Sequence, residues 1–197
     1  GDTRMTSKLK TDVLETVSGS GTIALTNQLS GMTSASVPSG SVLQVVSTNK
    51  TDAFTTTSAT MTDITGLGLS ITPSSTTSKI LVTVDLCICS NYYNWHAGLW
   101  QDSTEIGIAD AASNRSGHFL SGMNDSVVQN THGHVSFISK TILTSPNTTS
   151  PVVYQVKTSK RPDYSNTVFV NRSVPDRDNS TYDLRHISSI TLTEIKG

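Results

Sequence analysis

Charge is scarce in this chain. Fourteen Lys and Arg face fifteen Asp and Glu, charged residues make up 15% of the 197, and the formal net charge is -1. Binding to nucleic acid or to an anionic membrane needs clustered Lys and Arg, so this balance gives no electrostatic reason for either. Long apolar runs are missing too: none approaches the roughly 20 residues of a membrane span. The opening Gly1-Asp2-Thr3-Arg4-Met5 lacks the basic and hydrophobic regions of a signal peptide. The expectation is a soluble chain with no membrane insertion, folded in a reducing cytoplasm. Cysteine occurs only at Cys87 and Cys89. On a strand these two share a face, too far apart and too poorly aimed to close an unstrained disulfide, which leaves them as buried thiols acting as small hydrophobes. Catalytic patterning is absent as well. There is no Gly-x-Ser-x-Gly elbow, and Asp85, Asp102, Glu105 and Asp110 are isolated in the sequence, so no enzyme is expected.

Hydroxyls are what the chain has in quantity: 30 Ser and 30 Thr. Such residues suit the solvent faces of strands, where Thr packs well on the pleat. The length allows one sizeable β domain plus an appendage. The stretch from Lys79 to Cys89 organises the rest. Its even positions Ile80, Val82, Val84, Leu86 and Ile88 are all aliphatic, whereas Leu81, Thr83, Asp85, Cys87 and Cys89 are mixed. This predicts a central strand with one face buried against a second sheet and the other covered by another chain or a loop.

Residues 1–40 read differently from the remainder. Met5, Leu9, Val13 and Val17 fall four apart, which permits a short helix, yet the Ser18-Gly19-Ser20-Gly21 break and Thr22-Ile23-Ala24-Leu25 equally permit extended pieces. With little core of its own, this segment is expected to attach or link, completed by neighbouring copies. From residue 41 to 197, short strands alternate with turn signals, and no long amphipathic helix is legible after residue 20. The expected fold is all-β, an antiparallel two-sheet β-sandwich of jelly-roll type.

Several stretches carry a resemblance. Gln101-Asp102-Ser103-Thr104-Glu105-Ile106-Gly107-Ile108-Ala109-Asp110-Ala111-Ala112-Ser113-Asn114-Arg115 resembles a recurrent element in C-terminal head domains of marine bacteriophage tail fibres and related virion structural proteins. Leu143-Thr144-Ser145-Pro146 leading into Val152-Val153-Tyr154-Gln155-Val156 is similar to the same group. So are Val168-Phe169-Val170-Asn171-Arg172-Ser173 and Ser188-Ser189-Ile190-Thr191-Leu192-Thr193-Glu194-Ile195-Lys196. Leu9-Lys10-Thr11-Asp12-Val13 and Gly19-Ser20-Gly21-Thr22-Ile23-Ala24-Leu25 look like the repeats joining fibre shafts to such heads. The resemblance implies a homotrimer in the virion, with apolar patches of one chain covered by the other two. It also implies attachment to other virion proteins through residues 1–40 and contact with a host glycan or receptor. A capsid decoration or capsid fibre protein with a purely structural role is the alternative; a polysaccharide depolymerase has less in its favour.

Two groups stand out as candidate sites. Asn91-Tyr92-Tyr93-Asn94-Trp95-His96 reads as a polar, aromatic loop after the central strand. Flat rings beside amide side chains could hold a sugar, making Tyr92, Tyr93, Asn94, Trp95 and His96 the candidate glycan contacts; equally, the rings could pack the end of the sandwich or a trimer seam. His132-Gly133-His134 places two imidazoles on one strand face, and around a threefold axis three pairs could bind an axial transition metal, or could simply be polar residues at a strand entrance. No other cofactor is expected. The acidic run Asp176-Arg177-Asp178-Asn179-Ser180, with Asp183, lacks the Gly and distant Glu of a calcium loop and reads as a solvated turn.

Overall fold

The computed structural model describes residues 37–124, 135–177, 183 and 185–197, apart from the side chains of Tyr93, Met123 and Asn124. The chain divides into residues 1–36 and a compact unit from Val37 to Gly197. That unit is all-β: β1 (Val42–Lys50), β2 (Phe54–Thr56), β3 (Thr62–Ile71), β4 (Lys79–Ser90), β5 (Tyr93–Gln101), β6 (Thr104–Ile106), β7 (Leu120–Asn124), β8 (Ser136–Thr144), β9 (Val152–Lys160), β10 (Val168–Val170) and β11 (Ser188–Ile195). Among the described residues no helix is long and apolar enough to cross a membrane.

Pairing registers reduce these strands to eight rows in two antiparallel sheets. Along one edge of β4, β11 takes Lys79–Asp85 and β10 takes Ile88–Ser90, so β10 and β11 form one row; β2 and β1 flank them in the same order as a second. With β8 on its other edge, β4 sits inside a sheet of four rows, β1/β2, β11/β10, β4 and β8. The second sheet runs β3, β9, β5, and then β6 with β7, which share the far edge of β5. Numbered in chain order, the rows lie 1-8-3-6 and 2-7-4-5, the strand order of a jelly roll.

The core lies where sequence alternation places it. Ile80, Val82, Val84, Leu86 and Ile88 are at most 2% exposed, packed with Ile190, Leu192, Val168 and Val170 of their own sheet against Ile64, Leu67, Trp95, Leu99, Val152, Tyr154 and Val156 of the other. Row 8 is interrupted between the end of β10 at Val170 and the start of β11 at Ser188. At the gap, Asn171 N donates to Cys87 O (3.0 Å), and Cys87 N donates to Ser188 Oγ (3.0 Å), so a side-chain hydroxyl stands in for a ladder carbonyl. Asn171, fully buried with φ +62°, also donates from Nδ2 to Lys50 O (2.7 Å) and Asp52 O (3.1 Å) and accepts from Ser188 Oγ (2.6 Å). Asn tolerates the left-handed region better than most residues.

At the opposite end a buried carboxylate plays a similar part. Glu194 accepts from Gln44 Nε2 (2.6 Å), Ser74 N (2.7 Å) and Ser74 Oγ (2.7 Å), tying the β3–β4 connection to β11. Burial alone would push this carboxyl up; its donors outweigh that and hold it below the usual carboxylate range. A carboxyl lowered on folding contributes stability that is complete above its ordinary value of 4.5 and is lost as pH falls through the folded value. Glu194→Gln should therefore lose about 1.5–3 kcal/mol at neutral pH, the range for hydrogen bonds to a charged group. Urea unfolding at about pH 7 and about pH 3.5 should show the gap to wild type shrinking on acidification; a gap independent of pH would refute the linkage.

Candidate functional site

The aromatic segment after β4 is not a six-residue loop. β4 ends at Ser90 and β5 begins at Tyr93, so only Asn91 and Tyr92 form the turn, and strand alternation sorts the rest. Hydrogen bonds to the β9–β10 connection fix the turn: Asn91 N donates to Thr167 O (3.1 Å), and Thr167 N donates to Asn91 Oδ1 (2.7 Å). Tyr92 is half-buried there, and the backbone of Tyr93 opens β5. Trp95 points inward and is 0% exposed, with its six-membered ring against Gly122, its register partner on β7. Its indole is core, and a ligand on the surface cannot reach it. Asn94 and His96 lie on the outer face; His96 stacks on His118, with centroids 4.0 Å apart and an interplanar angle of 14°. Trp100 also faces outward, but its ring folds over Gly98 and carries Lys157 Nζ 5.0 Å from its centroid. The five candidate residues therefore do not form one platform: the turn, the core and the outer face share them.

His132 and His134 lie outside the described residues. Among the described ones, no group of three His, Cys, Asp or Glu could hold a metal. Three carboxylates are separately engaged. Asp102 Oδ1 accepts Val153 N (2.9 Å), Asp176 pairs with Arg172 and Arg185 (3.2 and 2.7 Å), and Asp183 pairs with Arg177 (2.9 Å). Guanidinium groups thus occupy the carboxylates of the acidic run that are described.

Both cysteines are free and buried. The backbone just after β10 covers this end of β4: Cys89 Sγ donates to Arg172 O (3.3 Å), and Arg172 lies over the Phe169 ring. Burial pushes the Cys87 and Cys89 thiols up to about 11 and about 12, so neither is a nucleophile at neutral pH. A loop of the same chain is thus the cover expected for this half of the mixed face of β4.

Among the described residues the other half has no such cover, and it is the most distinctive surface of the sandwich. Val45, Thr193, Leu81 and Leu143 make one rung across four strands; Ser47, Thr191, Thr83 and Thr141 the next; Asn49, Ser189, Asp85 and Ser139 a third. Hydroxyls bond laterally within it, Ser47 to Thr191 (2.8 Å) and Thr83 to Thr141 (3.1 Å), and Ser189 Oγ donates to the one charged member of these rungs, Asp85 (3.2 Å). Apolar ends bracket the hydroxyls. Val45 and Leu143 are 56% and 51% exposed at one end, Phe137 and Ile187 66% and 55% at the other. Between Asp85, Cys87, Phe137 and Ile187 lies a cavity of 180 Å³. Alternation in β4 announced this face; the matching positions of β8 and β11 became visible only with the register.

No family model matches the chain, and no curated protein does. Among solved structures, the chain is similar to a structure of infectious bursal disease virus, Gx strain, at 12% identity and a TM-score of 0.34, over 88% of this chain and 47% of that one. It is similar also to the infectious bursal disease virus VP2 subviral particle, at 11% identity and a TM-score of 0.33, over 78% and 41%. The chain spans less than half the length of either.

Proposed function

We propose that this chain is a non-enzymatic virion structural protein, the trimeric head of a tail fibre, with residues 1–40 attached to other virion proteins and loops at the end of the sandwich contacting a host glycan or receptor. The observation that carries the reading is the outer face of β1, β11, β4 and β8. A solvent-facing sheet gains little from exposed Val, Leu and Phe, and a nearly uncharged patch of laterally bonded hydroxyls can be apposed to a neighbour without stranding ions. Closed assemblies of identical chains place such a face at each interface. Multivalence then raises the avidity of weak sugar contacts without new chemistry. Within the head, the host-contacting residues are those around Tyr92, Asn94 and His96, with Trp95 supporting them from the core.

Light scattering on a size-exclusion column tests the assembly. A mass near three times 21.0 kDa is expected, and Leu81→Lys combined with Thr83→Arg should reduce it to one chain while leaving the melting temperature of the sandwich within a few degrees, since both side chains lie outside the core. A wild-type monomer would remove the reading's main physical support. Antibody labelling of intact particles separates the fibre from the alternative, a capsid decoration protein: label at the tail favours the first, label over the shell the second.

A further inference from the structure

The second sheet carries an arm. Between β6 and β7, residues 107–119 leave the edge of β5 and return to it. The limbs approach so closely that a Cβ on Gly117 would lie 1.7 Å from Ala109 O, and the tip is closed by Ala112 N donating to Arg115 O (3.0 Å) and Arg115 N to Ala112 O (3.1 Å). At the base, Lys140 of β8 donates to Phe119 O (2.6 Å) and Gly107 O (3.5 Å), and Phe119 is buried. Residues 108–116 are all exposed. Beyond this clamp, the returning limb rests on the sheet through the His118 ring stacked on His96.

We propose that the His96–His118 stack is an acid-sensitive latch for this arm: with His96 neutral the stack holds the arm down, and protonation of His96 releases it.

The surroundings favour this. On β5 and its neighbours, His96 lies opposite the uncharged Ser159 of β9 and Ser121 of β7. Arg161, just past β9, and His118 both act on His96 electrostatically, and Lys157 of β9 is engaged by Asp63 of β3 (3.0 Å) over the Trp100 ring. The carboxylate acting on His118 is Glu105 of β6, whose Oε1 is buried without a hydrogen-bond partner. Burial first, then His118 and Arg161, pushes His96 below its ordinary value, while burial raises Glu105. The latched state therefore binds fewer protons at His96 than the open state, so its stability is complete above the ordinary imidazole value of 6.5 and declines as pH falls below it. A charge on His96, buried and beside Arg161, then works against the stack.

Hydrogen exchange of the whole chain tests the latch. After correction for intrinsic rates, amides in the arm should exchange severalfold faster at about pH 5 than at about pH 7.5. Amides of β4 should not change between the two. His96→Phe keeps an aromatic stack without the titrating ring and should retain protection at the lower pH; His118→Phe leaves His96 buried beside Arg161 and should keep the pH dependence, reduced. Protection that is independent of pH in the wild type, or lost equally in both variants, would overturn the proposal.

Discussion

Asn171→Asp should destabilise the sandwich by about 3–5 kcal/mol, the range for an uncompensated buried charge. The reasoning is local. Asn171 Nδ2 donates to two carbonyl oxygens, Lys50 O and Asp52 O, while Oδ1 receives the Ser188 hydroxyl, which in turn accepts Cys87 N. A carboxylate would face both carbonyls with no proton to offer, at a residue that is 0% exposed. Asn171→Gly separates this from backbone strain. Glycine adopts φ +62° freely, so its loss, about 1–3 kcal/mol, measures the unmade hydrogen bonds alone. Urea unfolding of the two variants gives both numbers. If the Asp variant fell within about 1 kcal/mol of wild type, Asn171 would not be the joint between β10, β11, β4 and β1 described above.

That joint explains what could and could not be read from residues alone. Period-two alternation in 79–89 announced the central strand and its buried face, because burial on one side leaves a one-dimensional record. The order of the rows left no such record. β10 carries three residues, all buried, and continues into β11 only because Asn171 and Ser188 bridge the gap; nothing in Val168-Phe169-Val170 says that the partner row resumes at Ser188. The aromatic stretch misled for a related reason. Asn91 and Asn94 are typical turn residues, and their density suggested a loop, yet the turn needs only two residues because Thr167 closes it from another connection. Once β5 starts at Tyr93, parity alone decides that Trp95 turns inward and that Asn94 and His96 turn outward. The His96 stack was likewise invisible, since His118 lies on the returning limb of an arm whose path no local pattern specifies.

Trp95 is the residue whose role changes most, and Trp95→Ala is the second large effect expected. Removing a fully buried indole from a well-packed core costs about 3–5 kcal/mol, so the variant should lose cooperative folding or melt far below wild type before any binding can be assayed. A sharper experiment uses its partner. The inner face of β7 meets the ring at Gly122, where a Cβ would sit 2.4 Å from Trp95 Cζ2 and 2.7 Å from Cε2. Gly122→Ala alone therefore overpacks the site, with an expected loss of about 1–3 kcal/mol. In the Trp95→Ala background the same methyl enters the space the indole vacated and should cost little or even restore stability. The double-mutant cycle should thus show strong coupling, well beyond the few tenths of a kcal/mol of independent sites. Additive losses would mean that the two side chains do not meet and that the indole is placed elsewhere. Coupling would establish that Trp95 serves the outer face only by holding β5 against β7, with Asn94 and His96 set outward on either side of it in sequence.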